Sequence, residues 1–373
     1  MILATWTDAL ILLALIALAR LAPRNLRHGL VACASVALLA RISPGGAAIS
    51  LAVGAFALVA RHRIERGSAG AFVPAACAVI AVLVVFQTWE AIDPAGALRP
   101  LGLSYLCFHA LSSLIETRRG RVAGATTGEA AAHLFLFATA PAGPIKNFDR
   151  FRANLAERRE WIDDLAFGAR RILVGIAKTR ILAASLKPMT AALAHPADAA
   201  WLDLVLAVWA YTFWIYFDFS GYTDAAIGMA RLAGYRVEEN FDRPYLKANI
   251  RDFWRAWHMS LTAFLRDAVY IPLGGNRAGR GREIANTAIV FAAIGAWHGF
   301  AAHYLIWGLW HAVGLIVYRA WRRRYPAGAP SIWKTVAAWA LTLHFVAAGW
   351  VFFACDTRTA LAVFARLFTG AIP

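Results

Sequence analysis

His298, in Trp297-His298-Gly299, follows the arginine-rich cluster ending at Arg282 by 16 residues (298 − 282). A helix starting at that cluster would carry it about 24 Å along its axis, through a stretch almost free of charge. A neutral imidazole there could take a proton from a hydroxyl, and Gly299 permits a substrate or backbone to come close. The competing role is a hydrogen bond to a neighbouring helix. His258 stands beside Trp254 and Trp257, as an interfacial residue or as a group that holds a reactant. Asp218 and Asp224 could orient an imidazole or a substrate, or cap a solvated helix. Arg255 and Arg266 either pair with Asp252 and Asp267 or meet an anionic donor or lipid headgroup. His303 and His311 are eight residues apart, about two turns on one helix face, and either extend a polar lining or pack at a polar seam. His109 and His344 have no polar company in sequence and read as structural.

The signatures of other chemistries are missing: a phosphate-binding Walker loop, a dinucleotide glycine fingerprint, a His-Glu-x-x-His zinc helix, a Gly-x-Ser-x-Gly elbow and a His-x4-Asp pattern. Cys33, Cys77, Cys107 and Cys355 are scattered, with neither a disulfide framework nor zinc spacing, so no metal site is expected. Histidine acid–base chemistry or transport remains.

The elements that must position these residues are helices in a bilayer. Of 373 residues 60% are hydrophobic and 16% charged, with a mean hydropathy of +0.54, against about 25% charged in ordinary soluble domains. Apolar runs recur from Leu3 to Phe353, each long enough to enter or cross a hydrocarbon core of about 30 Å. A lipid-exposed backbone satisfies its own hydrogen bonds, so these runs are expected to be helical. The net charge of +16 falls in short clusters between them, the pattern of cytoplasmic loops rather than of a nucleic-acid surface.

Leu3–Leu21 is the first span, read as a retained helix rather than a signal peptide and stopped by Arg20, Pro23, Arg24 and Arg27. Leu30–Ile42 and Ala47–Ala60 form a hairpin around Pro44-Gly45-Gly46. Phe72–Trp89 and Leu101–Ile115 continue the alternation. Leu134–Pro141 ends in Pro141-Ala-Gly-Pro144 and reads as re-entrant or broken. Phe167–Leu186 carries Arg170, Arg171, Lys178 and Arg180 and looks interfacial, and Ala200–Phe217 is a clear span. Ser220 to Arg282 holds too many charges to cross lipid, yet Trp254, Trp257, Leu261, Phe264 and Leu265 make one apolar stripe of an amphipathic helix. Ile284 to Tyr318 is long enough for two passes turning near His298, followed by Val336–Phe353 and Ala360–Phe368. The expectation is an all-α polytopic membrane protein forming a single domain over residues 1–373. It has roughly nine to eleven transmembrane or re-entrant helices plus amphipathic interfacial ones.

Tyr216-Phe-Asp-Phe-Ser-Gly-Tyr-Thr-Asp224, Asn240-Phe-Asp-Arg-Pro-Tyr245, Asp252-Phe-Trp-Arg-Ala-Trp-His-Met-Ser-Leu261, Leu265-Arg-Asp-Ala-Val-Tyr-Ile-Pro-Leu-Gly-Gly275 and Trp297-His-Gly299 occur in this order. With Pro100-Leu-Gly-Leu-Ser-Tyr105 and Pro141-Ala-Gly-Pro144 they resemble the membrane-bound O-acyltransferase family. They resemble in particular its bacterial branch of alginate O-acetylation proteins and teichoic-acid D-alanyl transferases. The resemblance implies acyl transfer from a thioester to a hydroxyl, in a tunnel around which the helices are arranged. His298 matches the family's catalytic histidine and His258 its second motif histidine. Asp218, Asp224, Trp254, Arg255, Trp257, Arg266, Trp297 and His303 are then candidates to line the tunnel or hold substrate. It implies an acyl-CoA or acyl-carrier-protein thioester as donor, with no bound cofactor. The acceptor is expected to be a cell-surface polysaccharide or an extracytoplasmic acetyltransferase partner, and the setting a bacterial cytoplasmic (inner) membrane. The chain departs from the branch in its shorter tail and in Ala268, where an aromatic usually follows Arg-Asp. Two rival readings are a transporter or channel with a pathway lined by His298, His303 and His311, and an inactive scaffold of an envelope-polysaccharide complex.

Overall fold

The computed structural model describes residues 6–23, 25–88, 100–155, 160–326 and 331–370; Leu3, Arg24 and Trp89, used as boundaries above, lie outside them. Among the described residues there is no strand, only an isolated antiparallel bridge between Phe241 and Trp257. The helices are α1 (Trp6–Leu21), α2 (Arg27–Ile42), α3 (Pro44–Glu65), α4 (Phe72–Gln87), α5 (Leu103–Arg118), α6 (Thr127–Phe135), α7 (Phe148–Leu155), α8 (Trp161–Ala177), α9 (Trp201–Leu232), α10 (Ile250–Ala256), α11 (Met259–Leu265), α12 (Arg280–His298), α13 (Ala302–Arg324), α14 (Ile332–Ala354) and α15 (Thr357–Thr369). Among the described residues, α3, α9 and α14 are long and apolar enough to cross a membrane, with Leu10–Leu21 and Phe72–Gln87 as shorter apolar helices. Leu51, Phe56 and Val59 on α3, and Val73, Ile80 and Val84 on α4, stay exposed, as lipid-facing side chains do. The chain is an all-α polytopic membrane protein.

Two compact units divide it, Met1–Gly175 with Tyr222–Glu239, and Ile176–Gly221 with Asn240–Pro373. In the first unit the α2–α3 break falls at Ser43, whose side chain caps Gly46 N at 3.2 Å, so Pro44 opens α3 as its first residue instead of forming the turn. A Thr126–Glu129 capping box starts α6, which stops at Phe135, well before Pro141. The core packs Leu15 and Ile16 of α1, Val31 of α2, Phe148 and Phe151 of α7, and Ile227 and Ala230 of α9.

Helix α9 runs 15 residues past Phe217, where the span was expected to end (232 − 217). Two of the charges in this extension are paired: Asp224 with Arg171 at 2.7 Å and Arg231 with Asp164 at 3.4 Å. Arg20 then donates to the Leu232 and Arg231 carbonyls at 2.7 and 2.8 Å, satisfying the last turn of α9. Gly168 of α8 and Gly228 of α9 meet backbone to backbone: a Cβ at either would strike the carbonyl oxygen of the other.

Between α6 and α7 the side chain of Lys146 is fully buried, donating to Thr139 Oγ1 at 2.5 Å and reaching the His109 ring nitrogens at 3.2–3.3 Å. Burial pushes its ammonium down to about 7, with the Glu238 carboxylate opposing the shift. The folded value lies below the unfolded one of about 10.4, so the unfolded chain holds the extra proton and stability rises with pH between the two. Lys146→Met is expected to flatten that rise and to raise the melting temperature at pH 7. Melting curves from pH 6 to 10 test this, and an unchanged slope refutes it.

Candidate active site

All the residues of this site belong to the second unit. The single amphipathic helix expected across Trp254–Leu265 is two short helices, α10 and α11, broken at Trp257 and His258. Trp257 is extended and His258 takes a left-handed conformation, φ 41 and ψ 53. The cause lies upstream. Phe241 bridges Trp257 in antiparallel fashion. Asp242 N donates to Ala256 O at 3.0 Å, and Met259 N donates to Asn240 O at 3.0 Å. The Asn240 carboxamide oxygen, fully buried, accepts from Ser260 Oγ at 2.5 Å and from Ser260 N at 3.4 Å. A left-handed histidine is a costly residue to hold, and this clasp holds it. Trp254, Trp257, Leu261 and Leu265 are therefore buried in protein, not laid on a membrane surface as their stripe suggested.

His298 arrives from the other side, as the last residue of α12, before Gly299 turns the chain into α13. The two helices cross closely because a Cβ at Gly295 would strike the Tyr304 carbonyl and one at Gly308 the Phe291 carbonyl, while a Cβ at Gly299 would touch the Tyr304 ring. The Trp297 ring centroid lies 6.0 Å from that of His258 and 4.4 Å from that of His298. His298 is half-buried, with Trp307 at 5.3 Å and Phe353 at 4.8 Å, and its ring makes no hydrogen bond among the described residues. His258 is 3% exposed, set edge-on to Phe219 at 4.8 Å, and its Nε2 has no hydrogen-bond partner among the described residues. Burial, with a smaller contribution from His298, holds the His258 imidazole well below the usual histidine range, so it is neutral at physiological pH.

The same is true of other buried polar atoms close by. Trp254 Nε1, Trp307 Nε1 and both nitrogens of His311 lack partners among the described residues. Trp254 lies 5.0 Å from His311, and Trp307 5.3 Å from it. Each such orphan costs about 1–3 kcal/mol, and these four atoms gather on three neighbouring rings.

The other candidates divide. Trp297 lies against both histidines, Trp254 reaches His298 only through Trp307, and Trp257 packs on Trp350 at 4.9 Å. His303 instead pairs its Nδ1 with the Phe352 carbonyl at 2.9 Å, tying α13 to α14, and His311 is wedged against Phe253, Trp254 and Trp307. Asp218 is exposed on α9. Asp224 lies in the first unit on Arg171. Arg255 approaches Asp252 at 3.5 Å and Arg266 meets Asp267 at 2.8 Å, both arginines exposed. Among the described residues no group of three or more His, Cys, Asp and Glu is placed to hold a metal ion. The sequence reading did not single out Asn240, Ser260, Trp307 and Phe353 as site residues. Asn240 and Ser260 each sit in a quoted motif, but only the fold reveals that one clasps the other. Asn240→Ala is expected to cost about 1–3 kcal/mol and to loosen the His258 turn. Asn240→Asp, which keeps the acceptor, should retain more of both. Parallel melting and turnover measurements compare the two variants.

The architecture is that of a helical membrane protein with two imidazoles set against one tryptophan. The model of MBOAT, the membrane-bound O-acyltransferase family, matches residues 104–355, and the chain belongs to that family. It is 36% identical over 261 residues to a probable alginate O-acetylase of Pseudomonas syringae pv. tomato, covering 69% of this chain and 49% of that protein. A peptidoglycan O-acetyltransferase of Helicobacter pylori is 43% identical over 146 residues, 38% of this chain and 27% of the relative. A teichoic acid D-alanyltransferase of Bacillus subtilis is 29% identical over 317 residues, 78% and 80% of the two. The chain spans about half the length of the alginate relatives it matches.

Proposed function

We propose that the chain is an O-acyltransferase of the bacterial cytoplasmic membrane, a single catalytic membrane domain. It moves an acyl group, in our reading acetyl, from a cytoplasmic thioester to a hydroxyl of a cell-surface polysaccharide or to an extracytoplasmic partner that passes it on. The observation that carries this reading is the pair of imidazoles about Trp297: His298 half-buried with its ring free of hydrogen bonds, and His258 with a buried Nε2 unpartnered among the described residues. The named activities of the relatives, acetylation of alginate and peptidoglycan and D-alanylation of teichoic acid, favour the same chemistry.

In this mechanism the acceptor oxygen bonds to the thioester carbonyl carbon while its proton passes to a ring nitrogen of His298. The tetrahedral intermediate collapses, the C–S bond breaks, and the departing thiolate takes that proton from the imidazolium. The products are an ester and a free thiol, and His298 is again neutral. His258 Nε2 holds one reactant in line. The thioester is already activated, so one placed base and correct orientation suffice. The donor is an acyl-CoA or an acyl-carrier-protein thioester, and no resident cofactor is called for. The rival pathway of polar side chains has less support, since His303 is occupied by the Phe352 carbonyl.

The test is mass spectrometry of O-acyl groups on surface glycans from cells carrying the wild type, a deletion, or His298→Gln at matched membrane levels. Loss of the ester in both altered strains is expected. Its persistence with His298→Gln refutes the base and leaves a scaffold.

A further inference from the structure

His303 is the second residue of α13, and the acyl-transfer chemistry described above does not use it. Its Nδ1 lies 2.9 Å from the Phe352 carbonyl oxygen, near the end of α14. A carbonyl only accepts, so Nδ1 carries the hydrogen and donates. That oxygen needs a donor from outside its own helix. Cys355 N closes the last helical bond of α14 on Val351 O at 3.1 Å, the backbone at Cys355 turns extended, and Phe352 O is the next carbonyl in line. Phe352 is buried, where a carbonyl left without a donor is costly.

The next residue is Phe353, whose ring is set among the rings around the base. It stands edge-on to His298 at 4.8 Å, with Trp307 at 5.0 Å, Tyr304 at 5.3 Å and Trp350 at 5.5 Å. His298 makes no hydrogen bond among the described residues that would fix the plane of its ring, so packing fixes it. Trp297 contributes from α12, and Tyr304 and Trp307 from α13. Among the described ring contacts of His298, Phe353 is the one from α14, a separate helix that must be held in register with the other two. Helices α13 and α14 are tied by His303 to Phe352 O and by Trp310 Nε1 to Phe345 O at 3.0 Å. These ties are seven residues apart on both helices (310 − 303 and 352 − 345), about two turns, so they lie on one seam. Trp310 holds the middle of α14, whereas His303 holds the peptide group that joins Phe352 to Phe353.

We propose that His303 is a positioning residue of the transfer: by donating to Phe352 O it fixes the peptide group that carries Phe353, and through that ring the direction in which the His298 nitrogens point. The proposal rests on the reading of His298 as the base. His303 exchanges no proton in this role. The Nδ1–H donor is present both in the neutral tautomer that the carbonyl selects and in the imidazolium, so the bond survives a change of pH. What the site requires is a donor at one place. Asparagine supplies it, because its Nδ2 stands as many bonds from Cα as the Nδ1 of histidine, while leucine fills the volume and has no donor. A misdirected base costs rate and not affinity, and a displacement of about 1 Å can cost about 10²-fold.

The experiment uses native membranes holding the full chain at matched levels, with acetyl-coenzyme A as the donor probe and its freed thiol as the readout. His303→Leu should lower kcat about 10–100-fold with KM for the donor within about twofold. His303→Asn should return kcat to within about threefold of wild type, with the pH profile of kcat unchanged. Phe353→Leu, a second route to the same displacement, should lower kcat similarly, and combining it with His303→Leu should add little, since the two act through one line of contacts. Trp310→Phe, which breaks the other tie, should leave kcat within about twofold of wild type. Equal losses in His303→Asn and His303→Leu overturn the proposal, because the donor is then not what matters. So does a loss carried by KM, or a displaced pH profile in His303→Asn, either of which makes His303 a substrate or proton contact. Full additivity in the double variant, or a Trp310→Phe loss as large as that of His303→Leu, overturns it too. If His298→Gln is inactive while His303→Leu and Phe353→Leu keep kcat within about twofold of wild type, the positioning role alone fails. If His298→Gln turns over as the wild type does, the base reading fails and the positioning role falls with it.

Discussion

His298→Gln is expected to lower the acyl-transfer rate constant by about 10²–10⁴-fold, the range a positioned acid–base group supplies, while the protein stays folded in the membrane. The physical basis for separating the two effects is local. His298 ends α12, is half-buried, and makes ring contacts but no hydrogen bond among the described residues, so glutamine removes the base without leaving a broken pair behind. Glutamine also fills most of the volume beside Trp307 and Phe353, which limits cavity formation. Purified wild type and variant, compared for thioester consumption at saturating donor and for melting temperature, decide the matter. A rate within tenfold of wild type would show that another group takes the proton.

The second large effect is structural. Gly308→Val should destabilise the second unit by about 3 kcal/mol or more and abolish activity through misplacement of His298. A Cβ at Gly308 would drive into the Phe291 carbonyl, a backbone atom that cannot rotate away. The site is fully enclosed between α12 and α13, so α13 must move, and overpacking of this kind commonly costs 1–3 kcal/mol even where side chains can yield. Shifting α13 also shifts Trp307, which packs on His298. Gly281→Val, at a position of the first turn of α12 where a Cβ meets nothing within 4 Å, is the control and should change the melting temperature little. Equal melting of the two variants would mean that the α12–α13 crossing is looser than described.

Much of this molecule is dictated by composition and spacing. Apolar runs in a bilayer have helices as their outlet, because water is not there to satisfy a backbone, and so the helical membrane class follows from residues 3–353 before any packing is known. The motif order from Tyr216 to Gly299 likewise placed the chain in its family. Element ends were less legible where a charge inside an apolar run found a partner far away in sequence. Asp224 and Arg231 looked like residues that must leave the membrane, and instead α9 continues through them, since Arg171 and Asp164 cancel them.

The periodicity of Trp254, Trp257, Leu261 and Leu265 announced one amphipathic helix, and local propensity alone would build it. Only the tertiary structure breaks it at His258, because Asn240, 18 residues earlier (258 − 240), offers the backbone and side-chain acceptors that make a left-handed turn worth forming. In the same way the sequence identified His298 and His258 as the imidazoles to watch. That the two histidines share one tryptophan is a matter of through-space distance and of no pattern along the chain.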